Sequence, residues 1–305
     1  MPSVKRWKKL GRLYDPLPIH PKLRSHAANP LPIQLDGDIY RIFFSSRDTE
    51  NRSSVGCVDI DIVKRMVTYI HHAPVFEHGL EESCSSHGVS LGSSYEVNGR
   101  RYLLFMGWRR PLGAHWYGQI GRLRLHDDFS LSFDDGAPLM SLDAVDQISL
   151  SYPWVLPKRG GYVMWYGSTI TWDAGNGEMA HVINSAESVD GDTWIRRGLA
   201  VPYEVGVAQA FSRPTVIVDS DGYHMWFSYR SGRPGETYRI GYAWSPSGDR
   251  WELRLDEVGL GLSDSGWDSE MVEYPFVFDH KGQRYLLYNG NGYGQSGFGL
   301  AVLDR

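Results

Sequence analysis

The sequence predicts an all-β fold: a five-bladed β-propeller with four-stranded antiparallel blades, closed into a ring by the N-terminal strand. Three observations support this prediction. A segment of about 61 residues recurs five times along the 305-residue chain. The first four copies each contain four short strand-like runs without a helical period, and the fifth copy ends after three. Four-stranded units repeated at such a period are typical of propellers.

The first run of each copy opens near a proline and is predicted to be the innermost strand of its blade. The second copy, at residues 88–91, lacks this proline. The openings that contain it are Ala28-Asn29-Pro30, Ser151-Tyr152-Pro153, Ser212-Arg213-Pro214 and Glu273-Tyr274-Pro275.

A tyrosine opens the second run of every copy and is followed by residues that favour β-structure. These tyrosines recur every 60 to 62 residues, at Tyr40, Tyr102, Tyr162, Tyr223 and Tyr285. A short glycine-containing pair precedes each second run and supplies the positive φ angles that tight hairpin turns need. The pairs are Asp36-Gly37, Asn98-Gly99, Gly160-Gly161, Asp221-Gly222 and Lys281-Gly282.

The last two runs of each copy complete the predicted blade. The third run carries Gly56, Gly121, Asn184, Gly241 or Gly299, and a more polar fourth run follows at residues 66–71, 129–133, 193–197 and 251–255. Because the fifth copy ends after three runs, we expect residues 4–13 to supply its outer strand. A single domain, residues 1–305, would hold blades at about 25–75, 85–140, 148–200, 209–256 and 270–305 plus 4–13.

Composition excludes several classes of function. The formal net charge of −5 does not suit nucleic-acid binding. The two cysteines form no metal-binding motif, and we expect no metal or other cofactor. No apolar stretch resembles a signal peptide or a membrane span, so we expect a cytoplasmic protein without a membrane or nucleic-acid partner. The basic run at residues 5–9 is interpreted as the face of the closing strand.

Topology places the chemically rich segments together. In a propeller blade, the start of the inner strand and the loop between the second and third strands lie on the same rim. These segments are rich in aromatic and hydrogen-bonding side chains, which suits a sugar ligand. The substrate-binding candidates among them are Asn29, Trp108, Tyr152, Asp173 and Asn291.

Basic side chains on the same rim favour an anionic ligand. Arg47, Arg213 and Arg230 are predicted to converge on the central funnel together with His26 and His87. Arginine suits carboxylates and phosphates, so a uronic acid, a phosphorylated sugar or inorganic phosphate is the expected partner. The alternative is that each arginine pairs with a neighbouring acid and holds a loop.

Four carboxylates are candidates for catalysis: Glu273, Glu270, Asp268 and Asp48. Glu273 lies on a predicted channel strand, two residues before its proline, where it could act as a general acid or base. A salt bridge is the alternative role for Glu273, and loop capping is the alternative for Asp268 and Glu270.

Several motifs resemble those of the five-bladed propeller glycosidases, which comprise glycoside hydrolase families 32, 43, 62 and 68 and the mannoside phosphorylases of family 130. The closest resemblance is to an uncharacterised group of such propellers, often found near polysaccharide-biosynthesis genes. The motifs are FFSSRD at residues 43–48, MWFSYR at 225–230, SGWDSEM at 265–271 and YNGNGYG at 288–294.

The resemblance implies a propeller that acts on glycosidic bonds. Family 43-like enzymes carry a carboxylate at the start of blades one, three and four. The matching stretches here hold Asn29, residues 149–152, and Ser212-Arg213, none of which is a carboxylate. The leading hypothesis is therefore an enzyme that hydrolyses, phosphorolyses or transfers a glycosidic bond of an anionic sugar without that triad. The alternative is a non-catalytic glycan-binding or scaffold propeller.

Overall fold

The computed structural model describes residues 6–133 and 137–304, and nearly all regular structure in them is β. The only helix within these ranges is a single 3₁₀ turn, Leu255–Glu257. Residues 4 and 5, predicted to begin the closing strand, lie outside the described residues. No helix in the described part of the chain has the length and hydropathy needed to cross a bilayer.

Each blade has four antiparallel strands, as predicted. Blade one comprises β2 (Ser25–Asp36), β3 (Ile39–Arg47), β4 (Ser53–Asp61) and β5 (Met66–Ile70), and blade two β6 (Gly88–Val97), β7 (Arg100–Arg109), β8 (Tyr117–Leu125) and β9 (Leu131–Ser132). Blade three comprises β10 (Leu150–Lys158), β11 (Gly161–Thr171), β12 (Ala180–Ser188) and β13 (Ile195–Leu199). Blade four comprises β14 (Ser212–Asp219), β15 (Gly222–Tyr229), β16 (Arg239–Ser245) and β17 (Glu252–Leu253), and blade five β18 (Glu273–His280), β19 (Gln283–Asn289), β20 (Phe298–Asp304) and β1 (Arg6–Tyr14).

The five inner strands form the ring. Strands β2, β6, β10, β14 and β18 contact one another in that order, and β18 contacts β2. The N-terminal strand β1 pairs with β20 from Arg6↔Asp304 to Tyr14↔Phe298, which confirms closure of the ring by the N-terminus. Large side chains fill the space between blades, and Trp165 and Trp226 are completely buried there.

A bulge interrupts the inner strand at the proline marker. In four blades the residue before the proline has a positive φ: 57° at Asn29, 37° at Tyr152, 49° at Arg213 and 51° at Tyr274. The pairing register shifts at each of these positions. A residue before proline normally adopts an extended conformation, and positive φ costs a bulky residue of the order of 1–3 kcal/mol. The same strained turn is therefore built into four of the five inner strands.

The Arg213 guanidinium lies at the centre of this ring and is 1% exposed. It donates to carbonyl oxygens of three other blades: Pro30 in blade one, Leu91 and Gly92 in blade two, and Tyr274 and Pro275 in blade five. The bonds to Pro30 and Tyr274 are the shortest, at 2.8 and 2.5 Å. Burial lowers the pKa of Arg213 to about 9, so it remains charged at neutral pH. One side chain thus cross-links four blades at the axis.

Replacing this cross-link should destabilise the whole ring. We expect Arg213→Met to lower the melting temperature by at least about 5 °C, because a side chain of similar length leaves several buried carbonyls without donors, at about 1–3 kcal/mol each. Differential scanning calorimetry measures the change. Arg250→Met, at an exposed position, is the control. Equal melting temperatures for the two variants would contradict the axial role.

Candidate functional site in the central cavity

A cavity of about 300 Å³ opens on the predicted rim and draws its walls from all five blades. It contains five of the predicted site residues: Asn29, Arg47, Trp108, Tyr152 and Arg230. The remaining lining residues are Ala28, Ser45, Ser53, Ser90, Met106, Trp116, Ser151, Met179, His181, Ser212, Tyr238, Tyr274 and Tyr293. The side chains at the inner-strand bulges, Asn29, Tyr152 and Tyr274, form the floor of the cavity, and the other lining residues form its walls. The cavity therefore combines polar and aromatic side chains.

Two arginines give the cavity its charge. Arg230 lies 4.7 Å from the centre of the Tyr238 ring, and its Nη2 donates to Glu178 at 2.8 Å. Arg47 makes no ion pair with an acid among the described residues. A cation without a counter-ion in a concave, half-enclosed site attracts anions.

Glu273 precedes the lining residue Tyr274, but it is not itself among the residues that line the cavity. It pairs with Asn289 immediately before the bulge of β18, which is the strand position that Ser151 and Ser212 occupy in their blades. Both of those serines line the cavity. The Glu273 side chain is fully buried, and neither carboxyl oxygen has a hydrogen-bond partner among the described residues.

Burial determines the protonation of Glu273. Desolvation raises its pKa well above the ordinary value of 4.5, although the charges of Arg230, Arg47 and Arg213 act in the opposite direction. The group is thus stabilised as the neutral acid. Because Arg230 is paired with Glu178 and Glu273 is neutral, the charge of Arg47 leaves the cavity net positive.

Unsatisfied polar atoms are concentrated around this cavity. Besides the Glu273 oxygens, they include Asn29 Oδ1, Ser212 Oγ and Arg230 Nε, all buried without a partner among the described residues. Such atoms typically cost about 1–3 kcal/mol each when they stay unpaired. Donors and acceptors at one concave site are what a polar ligand with several hydroxyl groups would satisfy.

A buried histidine stiffens the wall that blade three contributes. His181 Nε2 lies 2.6 Å from Ser151 Oγ, and its Nδ1 lies 2.7 Å from Thr169 Oγ1. Burial lowers the pKa of His181 to about 4, so the ring is neutral at physiological pH. Gly167 is required beside it, because a Cβ there would lie 2.1 Å from Ser151 Oγ.

The two predicted histidines lie outside the cavity lining. His26 Nδ1 contacts Ser25 Oγ at 2.9 Å, and burial together with the charge of Arg47 lowers the His26 pKa to about 4. His87 packs 6.0 Å from Trp108, with Nδ1 near Ser86 Oγ. Neither ring is among the lining residues: His87 packs beside Trp108, and His26 is neutral at physiological pH.

Arg213 and Asp268 also need correction, because both have structural roles. Arg213 is the axial cross-link and its donors are directed at backbone carbonyls. Asp268 is buried away from the cavity, where it accepts from Lys9 at 2.7 Å and from the Tyr288 hydroxyl at 2.9 Å. Since Lys9 lies on β1, Asp268 anchors the closing strand to blade five.

The other four predicted residues shape loops. Asp48 accepts from Glu50 and Arg52, and Asp173 accepts from the amides of Gly175 and Gly177. Asn291 Oδ1 accepts from the backbone amides of Glu270 and Met271, and the Glu270 side chain is exposed. None of the four lines the cavity: Asp48, Asp173 and Asn291 cap loops, and the Glu270 side chain is exposed.

Several lining residues were missed although the repeat marks their position. Trp116, Met179 and Tyr238 each lie immediately before the third strand of their blade, β8, β12 and β16. Tyr274 is the residue before the proline of blade five, equivalent to Tyr152 of blade three. Comparing equivalent positions across copies, instead of selecting charged residues, would have found all four.

Solved structures define the class of this fold. One described as a glycoside hydrolase superposes with a TM-score of 0.73 at 15% identity and covers 98% of this chain and 92% of its own. A thermostable family-43 glycoside hydrolase gives 0.66 at 15% identity over 95% and 91%, and an endo-arabinase from Bacteroides thetaiotaomicron gives 0.62 at 16% over 92% and 94%. The chain thus shares the β-propeller fold of these glycoside hydrolases, as the motif resemblance predicted.

Sequence relatives define the family more narrowly. Two uncharacterized proteins of Mycobacterium tuberculosis, MT1551 and Rv1502, are each 40% identical over 301 residues, which is 98% of this chain and 99% of each relative. This chain belongs to the family of those mycobacterial proteins. No family model matches it.

The protonation of Glu273 predicts a pH-dependent gain in stability for Glu273→Gln. Above pH 4.5 the unfolded chain releases this proton while the folded protein retains it, so wild-type stability falls by up to about 1.4 kcal/mol per pH unit until the folded pKa is passed. Because glutamine has no ionisable group, the Glu273→Gln variant does not lose stability in this way as the pH rises. We expect equal melting temperatures near pH 4 and a variant that melts several degrees higher at pH 7.5; a difference independent of pH would contradict the assignment.

Asp268→Asn tests the reassignment of this residue. Loss of the charge beside Lys9 should loosen the closing strand and lower the melting temperature by a few degrees. Ligand affinity at the cavity should stay within two-fold of wild type, as calorimetric titration would measure. A large loss of affinity without loss of stability would restore Asp268 to the site.

Proposed function

We propose that this protein is a carbohydrate-active enzyme that binds an anionic or phosphorylated sugar in the central cavity and breaks or transfers its glycosidic bond. The observation that carries this proposal is the convergence of Arg47 and Arg230 with buried, unpaired polar atoms inside aromatic walls. Glycoside hydrolases among the solved structures with this fold support carbohydrate chemistry.

The two arginines would hold the anionic group. Arg230 has an unpaired Nε, and Arg47 has no acidic partner among the described residues, so both retain hydrogen-bonding capacity for a carboxylate or phosphate. Trp116 of blade two and Tyr238 of blade four offer aromatic faces for the sugar ring. Asn29 Oδ1 would accept from a sugar hydroxyl, and Ser212 Oγ would donate to or accept from one.

Glu273 would act as the acid. A protonated carboxyl beside the floor is the state needed to donate a proton to the leaving glycosidic oxygen. Conventional hydrolysis also uses a second carboxylate about 5–10 Å away. Glu178 is occupied by Arg230 and by the amide of Met179. If inorganic phosphate occupies Arg47 and Arg230 in place of an anionic group of the sugar, it can be the nucleophile, and phosphorolysis then suits the site better than hydrolysis.

The second candidate is a non-catalytic sugar-binding propeller. Its supporting observation is that no carboxylate appears among the cavity-lining residues within the described chain. The two candidates share the anion site and differ only in whether Glu273 does chemistry.

A thermal-shift screen tests the anion site. Glucuronate, glucose 1-phosphate and inorganic phosphate should each raise the melting temperature, whereas neutral maltose should have little effect. Arg47→Ala should weaken binding of the anions by about ten-fold or more, because it removes a charged hydrogen-bond partner. Arg250→Ala, at an exposed position, is the matched control.

Turnover distinguishes the two candidate functions. On any glycoside or glycosyl phosphate that the protein converts, Glu273→Gln should reduce kcat by about 100-fold or more while binding persists, since proton donation contributes about 10²–10⁴ to rates. Binding without turnover across the wild-type panel would favour the non-catalytic alternative. No binding of any anion would overturn the proposed function itself.

A further inference from the structure

The wall of the central cavity continues outward as a second group of aromatic rings. Trp116 lines the cavity, and its ring meets Trp172 edge-on at a centroid distance of 5.0 Å and an interplanar angle of 72°. His115 stacks on Trp172 at 4.6 Å and 16°. We call these three rings the outer aromatic group. They lie on the loops before β8 and after β11, on the rim side of blades two and three.

Neighbouring residues hold the outer aromatic group in place. Trp116 packs 6.1 Å from His181, which is itself fixed by Ser151 and Thr169. The loop that follows Trp172 is closed by the Asp173 carboxylate, which binds the Gly175 and Gly177 amides. The Asn176 side chain bonds Gln209 of the next blade at 2.8 Å. Aromatic side chains on such supported loops keep a fixed direction, as a stacking surface requires.

A second concavity begins where the outer aromatic group ends. It is more open than the central cavity, has a volume of about 510 Å³ and is lined by residues 110–115. His115 belongs to this concavity and the next residue, Trp116, belongs to the central cavity. The exposed side chain of Arg110 also lines it. The two concavities are thus connected through the adjacent aromatic residues His115 and Trp116.

We propose that this surface is an outer sugar subsite, so that the ligand is an acidic oligosaccharide bound end-on. This inference rests on the proposed function: the terminal anionic sugar fills the central cavity, and the next ring stacks on the outer aromatic group. Half-buried indole faces are typical partners for the apolar faces of sugar rings. Arg110 then meets a second acidic group further along the chain. A polymer of neutral sugars would leave that arginine unused.

Calorimetric titration with glucuronic acid and with glucuronate-containing di- and tetrasaccharides tests the subsite. Wild-type protein should bind the tetrasaccharide about ten-fold or more tightly than the monosaccharide. Trp172→Ala should weaken tetrasaccharide binding about 3- to 10-fold and leave monosaccharide binding unchanged. Arg110→Ala, at an exposed position, should reduce only the tetrasaccharide affinity and its dependence on salt. Trp244→Ala is the matched control, since Trp244 donates to Asp221 at the turn on the opposite face.

The outcomes separate this inference from the proposed function. Equal affinity for monosaccharide and tetrasaccharide, unaffected by Trp172→Ala and Arg110→Ala, would overturn the outer subsite and leave the cavity site intact. Absence of binding for every acidic sugar would overturn both. Tighter oligosaccharide binding that both variants abolish would establish the subsite.

Discussion

The hydrogen bonds of one buried guanidinium hold the ring together. Arg213 directs its donors at carbonyls of blades one, two and five while its own backbone belongs to blade four. Buried charge is costly unless hydrogen bonds satisfy it, and here the bulged inner strands present their carbonyls to the axis. The strain at Asn29 and Tyr274 is therefore part of one arrangement, because the bulges of blades one and five supply acceptors to Arg213. The side chains of Asn29, Tyr152 and Tyr274 form the floor of the cavity.

The axial arginine also contributes to the electrostatics of the site. Its charge favours the ionised form of Glu273, as the charges of Arg230 and Arg47 do, but burial opposes that form more strongly. The result is a neutral carboxyl within a positive environment. A ligand anion on Arg47 and Arg230 would reinforce that state, because a nearby negative charge further disfavours ionisation of Glu273. Binding of an anion and retention of the Glu273 proton would thus be coupled in the same direction.

The sequence was sufficient to predict the fold because the residues that mark the strands and turns of a blade recur along the chain. Proline, tyrosine and turn-glycine markers recur at each blade, so errors in one copy are corrected by the others. Blade two has Ser93 at the position of the proline, and the preceding Gly92 packs closely on blade three, where a Cβ would lie 2.5 Å from the Pro153 carbonyl oxygen. Closure by β1 followed from the missing strand, but its anchor through Lys9 and Asp268 depends on packing that no linear pattern encodes.

The site was harder to predict, because the charge of a residue does not indicate the direction in which its side chain points. Arg213 and Arg230 both lie on the rim side of blade four, yet one is directed at backbone carbonyls and the other lines the cavity. Asp268 and Glu273 lie close together on one segment, and only Glu273 occupies the strand position that faces the cavity in other blades. The decisive variable is the position of a residue relative to the inner-strand bulge. Acidic side chains outside that position anchor strands and loops instead. The number of carboxylates predicted at the rim is therefore larger than the number that could take part in chemistry in the cavity.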